Sequence, residues 1–209
     1  NQVAIAKAGG IPPLIAWLAS NAITNLPNDP HSKQLLRRVQ SQAARAMLCL
    51  AADNATTQLL IAKSDGIPPL ITLVKKSSVE AQEYAACALW HLASQPENRS
   101  AIVDAGGVKP LISMIAAEGR TAPELAAAIT VRLARANHEV AREIADKAGI
   151  LPLVKLLDPA RGSAGAQQAA AACLSELALV DVEHSNRDMI ANAGGIEPVI
   201  KLLTSHNVG

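Results

Sequence analysis

Apolar residues in this chain keep a helical period, and the pattern they make comes back several times. Val39, Ala43, Ala46, Met47 and Leu50 fall at i, i+4, i+7, i+8 and i+11, which is one face of a helix. The same face recurs as Ala81, Ala85, Ala88, Leu89 and Leu92, as Ala122, Ala126, Ile129, Thr130 and Leu133, and as Ala166, Ala170, Cys173, Leu174 and Leu177. Small residues early in each stretch predict close approach of neighbouring helices, and the Leu positions later in it predict a shared core. Thr130 is the one polar residue in these four columns.

Between the long helical stretches a second phrase recurs five times. It reads Gly9-Gly10-Ile11-Pro12-Pro13-Leu14-Ile15, and returns around Gly66, Gly107, Gly149 and Gly195. Measured on its second proline position, successive copies stand 56, 41, 42 and 46 residues apart. A period near 42 predicts an all-α solenoid of repeated units. In each unit a short helix ends at Gly, the chain turns a sharp corner, and Pro sits in the first turn of a second helix, where its missing N–H does no harm. The long periodic stretch is the third helix. The predicted repeats are residues 1–52, 53–94, 95–136 and 137–179, with a partial repeat at 180–209. The long first interval places a loop insertion at residues 20–31, rich in Asn, Pro and Asp.

Composition agrees with close-packed helices. Ala supplies 41 of 209 residues, there is no Phe, one Tyr and two Trp, and half of the chain is hydrophobic. That excludes disorder and argues against an aromatic-cored β-sandwich. Nineteen basic against 18 acidic residues leave +1, so no global field draws the protein to nucleic acid or membrane. No apolar run approaches the ~20 residues of a bilayer span. Cys49, Cys87 and Cys173 show no paired spacing, which predicts free thiols and a cytoplasmic or nuclear setting.

The Gly-Gly-Ile-x-Pro-Leu phrase followed by a helix reading Ala85-Ala86-Cys87-Ala88-Leu89-Trp90-His91-Leu92-Ala93 closely resembles the armadillo repeat, and the resemblance covers essentially the whole chain. HEAT repeats share the length but lack the glycine corner. The resemblance implies a right-handed solenoid whose third helices line a concave groove for an extended segment of another protein. Nuclear-import members carry a Trp and, four residues later, an Asn on this helix. Here those positions hold Arg45, Cys87, Ala128 and Ala172, then Cys49, His91, Arg132 and Glu176, so an import-type peptide loses its ladder of contacts. The groove expected instead is mixed: Arg45, His91 and Arg132 to read acidic or backbone groups, Arg38 as a further basic position, Trp90 as an apolar anchor, and Glu83, Glu124 and Glu176 to set register. Cys49, Cys87 and Gln168 complete the lining.

No enzyme chemistry is expected. The five histidines show no zinc-ligand spacing, the glycine pairs match no phosphate or dinucleotide loop, and no cofactor is implied. Cys87 and His91 stand one helical turn apart and read as two separate groove residues rather than a nucleophile and its base. Asn54-Ala55-Thr56 and Asn98-Arg99-Ser100 match a glycosylation signal, but both asparagines fall where first helices begin and read as N-caps. Both chain ends fall in mid-repeat, which predicts a piece of a longer protein. That leaves two rival roles: end-to-end self-association, and presentation of substrates in a larger protein such as a ubiquitin ligase.

Overall fold

The computed structural model describes residues 1–19, 29–146, 148–180 and 185–205. Among them are fourteen helices and no strand, as the periodicity requires. The chain divides into two compact units, Asn1–Gly107 and Val108–Gly209.

The first unit holds α1 (Gln2–Lys7), α2 (Ile11–Leu18), α3 (Pro30–Ala51), α4 (Ala55–Lys63), α5 (Ile67–Lys76), α6 (Val79–Leu92) and α7 (Pro96–Asp104). The long α3 packs along α6, with α2 against α3 and α5 against α6. Ala44, Ala81, Ala85, Ala86 and Ala88 are buried between or behind these helices, which lets two backbones lie close while Met47, Leu89 and Leu92 fill the space beneath. A fully buried leucine of this kind contributes about 1.5–3 kcal/mol. The second unit holds α8 (Val108–Ile115), α9 (Thr121–Ala136), α10 (His138–Asp146), α11 (Ile150–Leu156), α12 (Ala164–Leu179), α13 (Ser185–Asn192) and α14 (Ile196–Ser205). Here α9 packs along α12, with α8 and α10 against α9 and α11 against α12. Buried Thr130 stays in its column by returning its hydroxyl to the Ala126 carbonyl, 2.7 Å away.

The glycine corner divides into two different requirements. The first corner residue has positive φ, and Gly9, Gly106 and Gly194 supply it, while Asp65 (φ 59) and Ala148 (φ 60) adopt the same left-handed conformation without being glycine. The second corner residue donates its N–H to the isoleucine carbonyl five residues back, at 2.9–3.0 Å in all five copies. A Cβ there would lie 2.6–2.9 Å from that same oxygen. The second glycine is therefore fixed by contact, and only the first by backbone conformation.

Three of the third helices, α3, α6 and α12, are closed at the C-terminal end by side chains from the first helix that follows. Thr57 and Gln58 donate to the carbonyls of Leu50 and Ala51, Asn98 and Arg99 to those of Leu92 and Ala93, and Asn186 and Arg187 to those of Leu177 and Ala178. These carbonyls have no partner within their own helix, and apart from the Leu92 oxygen, which also accepts from the Gln95 N–H, the repeated bracket satisfies groups that would otherwise need water. It corrects one sequence expectation. Asn54 is the N-cap of α4, accepting from the Thr57 N–H, but Asn98 is buried inside α7 and caps the preceding third helix; Gln95 is the N-cap of α7. Polar links also join successive repeats of the first unit, Asn54 Nδ2 to Gln2 Oε1 at 3.0 Å and Gln95 Nε2 to Gln58 Oε1 at 2.7 Å.

The expected insertion at 20–31 is shorter than the interval suggested. Pro30 and His31 already belong to α3, which runs 22 residues against 14 for α6, so part of the excess lengthens a helix. Asp29 caps it by accepting from the Ser32 N–H and hydroxyl, bonds that hold its carboxyl below the usual carboxylate range. Residues 20–28 of the insertion lie outside the described residues.

Candidate functional site

The outward stripe of the third helices is built by elimination. Once the small and aliphatic columns are buried against neighbours, what remains on each long helix is the face holding the positions singled out in the sequence. None of Arg45, Cys87, Ala128, Ala172, Cys49, His91, Arg132 and Glu176 is buried. In the first unit Arg38, Arg45 and Cys49 are exposed on α3, and Glu83, Cys87, Trp90 and His91 are half-buried on α6. The Trp90 and His91 rings meet edge to face, centroids 4.9 Å apart and planes at 80°. Trp90 belongs to the same column as Leu48 and Val131, so it stands at the flank of the stripe, with His91 nearer its centre. Between the two helices, Ser41 donates to Glu80 Oε2 at 2.8 Å.

Cys87 does not have the character of a nucleophile. Burial pushes its thiol pKa up, and the Glu83 carboxylate adds to the effect, so the protonated form dominates near neutrality. Cys173, in the core of α12, is pushed up to about 12, chiefly by burial. Among the described residues no three metal-ligating side chains gather, and no helix is long and apolar enough to cross a membrane.

In the second unit the outward stripe carries half-buried Arg132 on α9 and exposed Gln168 on α12. The two acidic residues expected to set the register of a partner are instead engaged within the fold. Glu124 accepts a hydrogen bond from Ser163 Oγ, the N-cap of α12, and its carboxylate lies where a side chain on Gly165 would have to go, 2.4 Å from the position of a Cβ. Glu176 accepts from Arg135 Nε at 2.9 Å, a link between the other ends of α9 and α12. Arg135 is 58% exposed and Glu176 24%, so this pair contributes below about 1 kcal/mol.

One surface feature was not read from the sequence. Leu14, Trp17, Leu35, Arg38 and Val39 surround an apolar depression of about 550 Å³ between α2 and α3. Trp17 is 45% exposed, whereas Leu73, Met114 and Leu156, at the same place in the later second helices, are buried. A tryptophan in a column of buried aliphatic residues was the available signal.

Short helices joined at glycine corners, long helices packed in parallel rows and an outward stripe free of core residues define a helical-repeat scaffold. The model of the armadillo/beta-catenin-like repeat matches residues 53–94. Vacuolar protein 8 of Schizosaccharomyces pombe is 31% identical over 145 residues, 69% of this chain but only 26% of that protein. Among solved structures, an engineered protein is 32% identical with a TM-score of 0.79, covering 97% of this chain and 45% of the other. A computationally designed armadillo repeat protein for modular peptide recognition has a TM-score of 0.73 at 22% identity, covering 92% and 74%. The chain belongs to the armadillo-repeat family, and its fold is the armadillo α-solenoid.

Proposed function

We propose that this protein is a non-enzymatic scaffold that binds an extended segment of a partner protein along the outward stripe of its third helices. The observation that carries the reading is the stripe itself: the two registers held by Arg45, Cys87, Ala128 and Ala172 and by Cys49, His91, Arg132 and Glu176 stay out of the core on α3, α6, α9 and α12, and the cations Arg38, Arg45 and Arg132 stand along them. A row of regularly spaced sites on rigid helices suits an extended chain, because the partner alone is ordered on binding. Arg38, Arg45 and Cys49 line the stripe in the first unit together with Cys87, His91 and, at the flank, Trp90 and Glu83. Arg132 and Gln168 line it in the second, with Glu124 and Glu176 tying the helices together. The designed relative made for peptide recognition supports this use of the fold. Affinity capture with the intact chain identifies partners, and titration of the captured segment against Arg45→Glu and Arg132→Glu variants tests the site. Binding should weaken about five- to tenfold and lose part of its salt dependence; affinity unchanged in both variants at every ionic strength would sink the proposal.

A second reading, self-association, is favoured by one observation. Apolar side chains stand exposed on α2, α3 and α14: Trp17 and Leu35 in one unit, Ile196 (58%) and Ile200 (54%) in the other, although Ile11 and Ile67, in the column of Ile196, are buried. Light scattering across a concentration series separates the two, since a mass that rises with concentration and falls back in a Trp17→Glu variant supports assembly.

A further inference from the structure

The second unit carries a cavity that the third-helix stripe does not account for. It measures about 340 Å³ and lies between the loop that joins α8 to α9, the helix α11 and the loop that joins α11 to α12. Arg120, Lys155 and Arg161 stand around it and are all exposed, against a single acidic residue, Glu118. None of the three cations has an ion-pair partner among the described residues. Between them lies the exposed side chain of Leu151, with Pro123, itself buried, also in the lining.

Two features separate this arrangement from an ordinary solvated edge. Leu151 is 49% exposed, and the residues at its place in the other four copies of the corner phrase are Pro12, Pro68, Lys109 and Glu197, so the fold asks for no leucine there. The loop carrying Arg161 is also held in place. The N–H groups of Arg161 and Gly162 both donate to the Asp158 carbonyl, at 2.9 and 2.8 Å, and a Cβ on Gly162 would lie 2.1 Å from the Leu156 oxygen. The cations are thus mounted on a fixed frame around an apolar floor, which lowers the ordering cost of binding.

We propose that this cavity is a second peptide site, taking an acidic segment that carries one apolar side chain. The apolar side chain rests on Leu151 while carboxylates on either side meet Arg120, Lys155 and Arg161. A concave site of this volume holds one or two side chains of a peptide, whereas a lipid surface needs a face that can lie flat against it. Each exposed pair adds a factor of about 1.5 to 5 in affinity, so the three cations together add about 3- to 125-fold.

The probe is a fluorescein-labelled peptide, Gly-Ser-Glu-Asp-Leu-Glu-Asp-Gly-Ser, titrated with the full chain and read by anisotropy. Two further peptides replace its acids by amides or its leucine by serine. The expected result is saturable binding by the first peptide alone. It weakens tenfold or more in Lys155→Glu/Arg161→Glu, weakens several-fold in Leu151→Ser, fades between about 50 and about 500 mM salt, and is unchanged in Arg45→Glu on the third-helix stripe. All the substituted side chains are exposed, and circular dichroism checks that the variants fold. No saturation below about 1 mM, equal binding of the amide peptide, or unchanged affinity in the double variant would overturn the proposal. So would loss of binding in Arg45→Glu, or a preference for phosphatidylserine vesicles over the peptide.

Discussion

The two residues of the α10–α11 corner make a test in which the same chemical change, run in opposite directions one residue apart, has opposite signs. At Gly149 the backbone is already helical, φ −71 and ψ −22, so alanine is not excluded by conformation. It is excluded by contact: the new Cβ would sit 2.6 Å from the Ile144 oxygen and 2.7 Å from Ile144 Cγ2. That oxygen cannot retreat without opening the 2.9 Å bond it accepts from the Gly149 N–H. Overpacking of this kind costs about 1–3 kcal/mol and the weakened bond adds about 0.5–1.5, so Gly149→Ala should destabilise by about 2–4 kcal/mol. At Ala148 the conformation is the problem. A non-glycine residue at φ 60 carries about 1–2 kcal/mol of strain; glycine removes it but returns about 0.4–1 kcal/mol through the freer unfolded chain. Ala148→Gly should therefore stabilise by about 0.5–1 kcal/mol. Gly106→Ala isolates the conformational cost, because φ is 74 and a Cβ there meets nothing within 4 Å. Urea unfolding followed by circular dichroism gives the order of the three, and hydrogen exchange of residues 144–153 reads the corner itself, since repeat arrays can depart from two-state unfolding. A Gly149→Ala variant within about 0.5 kcal/mol of the parent, or a destabilised Ala148→Gly, would refute the separation of contact from conformation.

The bracket at the ends of the third helices predicts that Asn98→Ala, which strips the Leu92 and Gln58 carbonyls of a buried donor, costs about 1–3 kcal/mol in thermal or chemical unfolding; a neutral variant would mean that water replaces it. Replacing Glu124 by Ala should loosen the start of α12, seen as faster hydrogen exchange at residues 164–167, and equal exchange would contradict the tie to Ser163. Thiol labelling should rank exposed Cys49 first, Cys87 second and buried Cys173 last. Because the folded Cys87 pKa is raised, its thiolate forms only above the pH at which an ordinary cysteine ionises, and its labelling rate should still be climbing where that of the same cysteine in the unfolded chain has levelled; coincident pH profiles would remove the role given to burial and Glu83.

The architecture was legible because it rests on two local rules repeated many times. An alanine-lined face at helical spacing and a glycine corner before Ile-x-Pro each act within a few residues, and five copies make the signal redundant. Where the reading went astray, the deciding contact came from elsewhere in the chain. Asn98 opens like an N-cap in sequence, yet the carbonyl it serves is six residues behind it at the end of another helix. His31 reads as loop because its neighbours are Asn, Asp and Pro, whereas Asp29 and Pro30 are together the start signal of a helix. The corner itself read as one requirement for glycine; only the distance to the isoleucine oxygen divides it into two.

The site was legible as a list of positions and not as a set of roles, for a related reason. Helical geometry decides which residues share a stripe, and all the third-helix positions chosen that way do reach the surface. What a charged residue does there depends on the neighbouring repeat, which a single helix cannot show. Glu124 and Glu176 occupy stripe positions like any other, but Ser163 and Arg135 come from the adjacent helix or its approach and claim their carboxylates. Arg120 and Arg161 stand about one repeat apart, each in the loop before a third helix, whereas Lys155 lies on a second helix, and only folding brings the three around Leu151. In a repeat protein the regular positions therefore report the scaffold, and the departures from regularity are the better guide to binding. Leu151 among Pro, Lys and Glu, and Trp17 among Leu and Met, are departures of that kind, and each lies beside an open apolar surface that the shared repeat pattern does not explain.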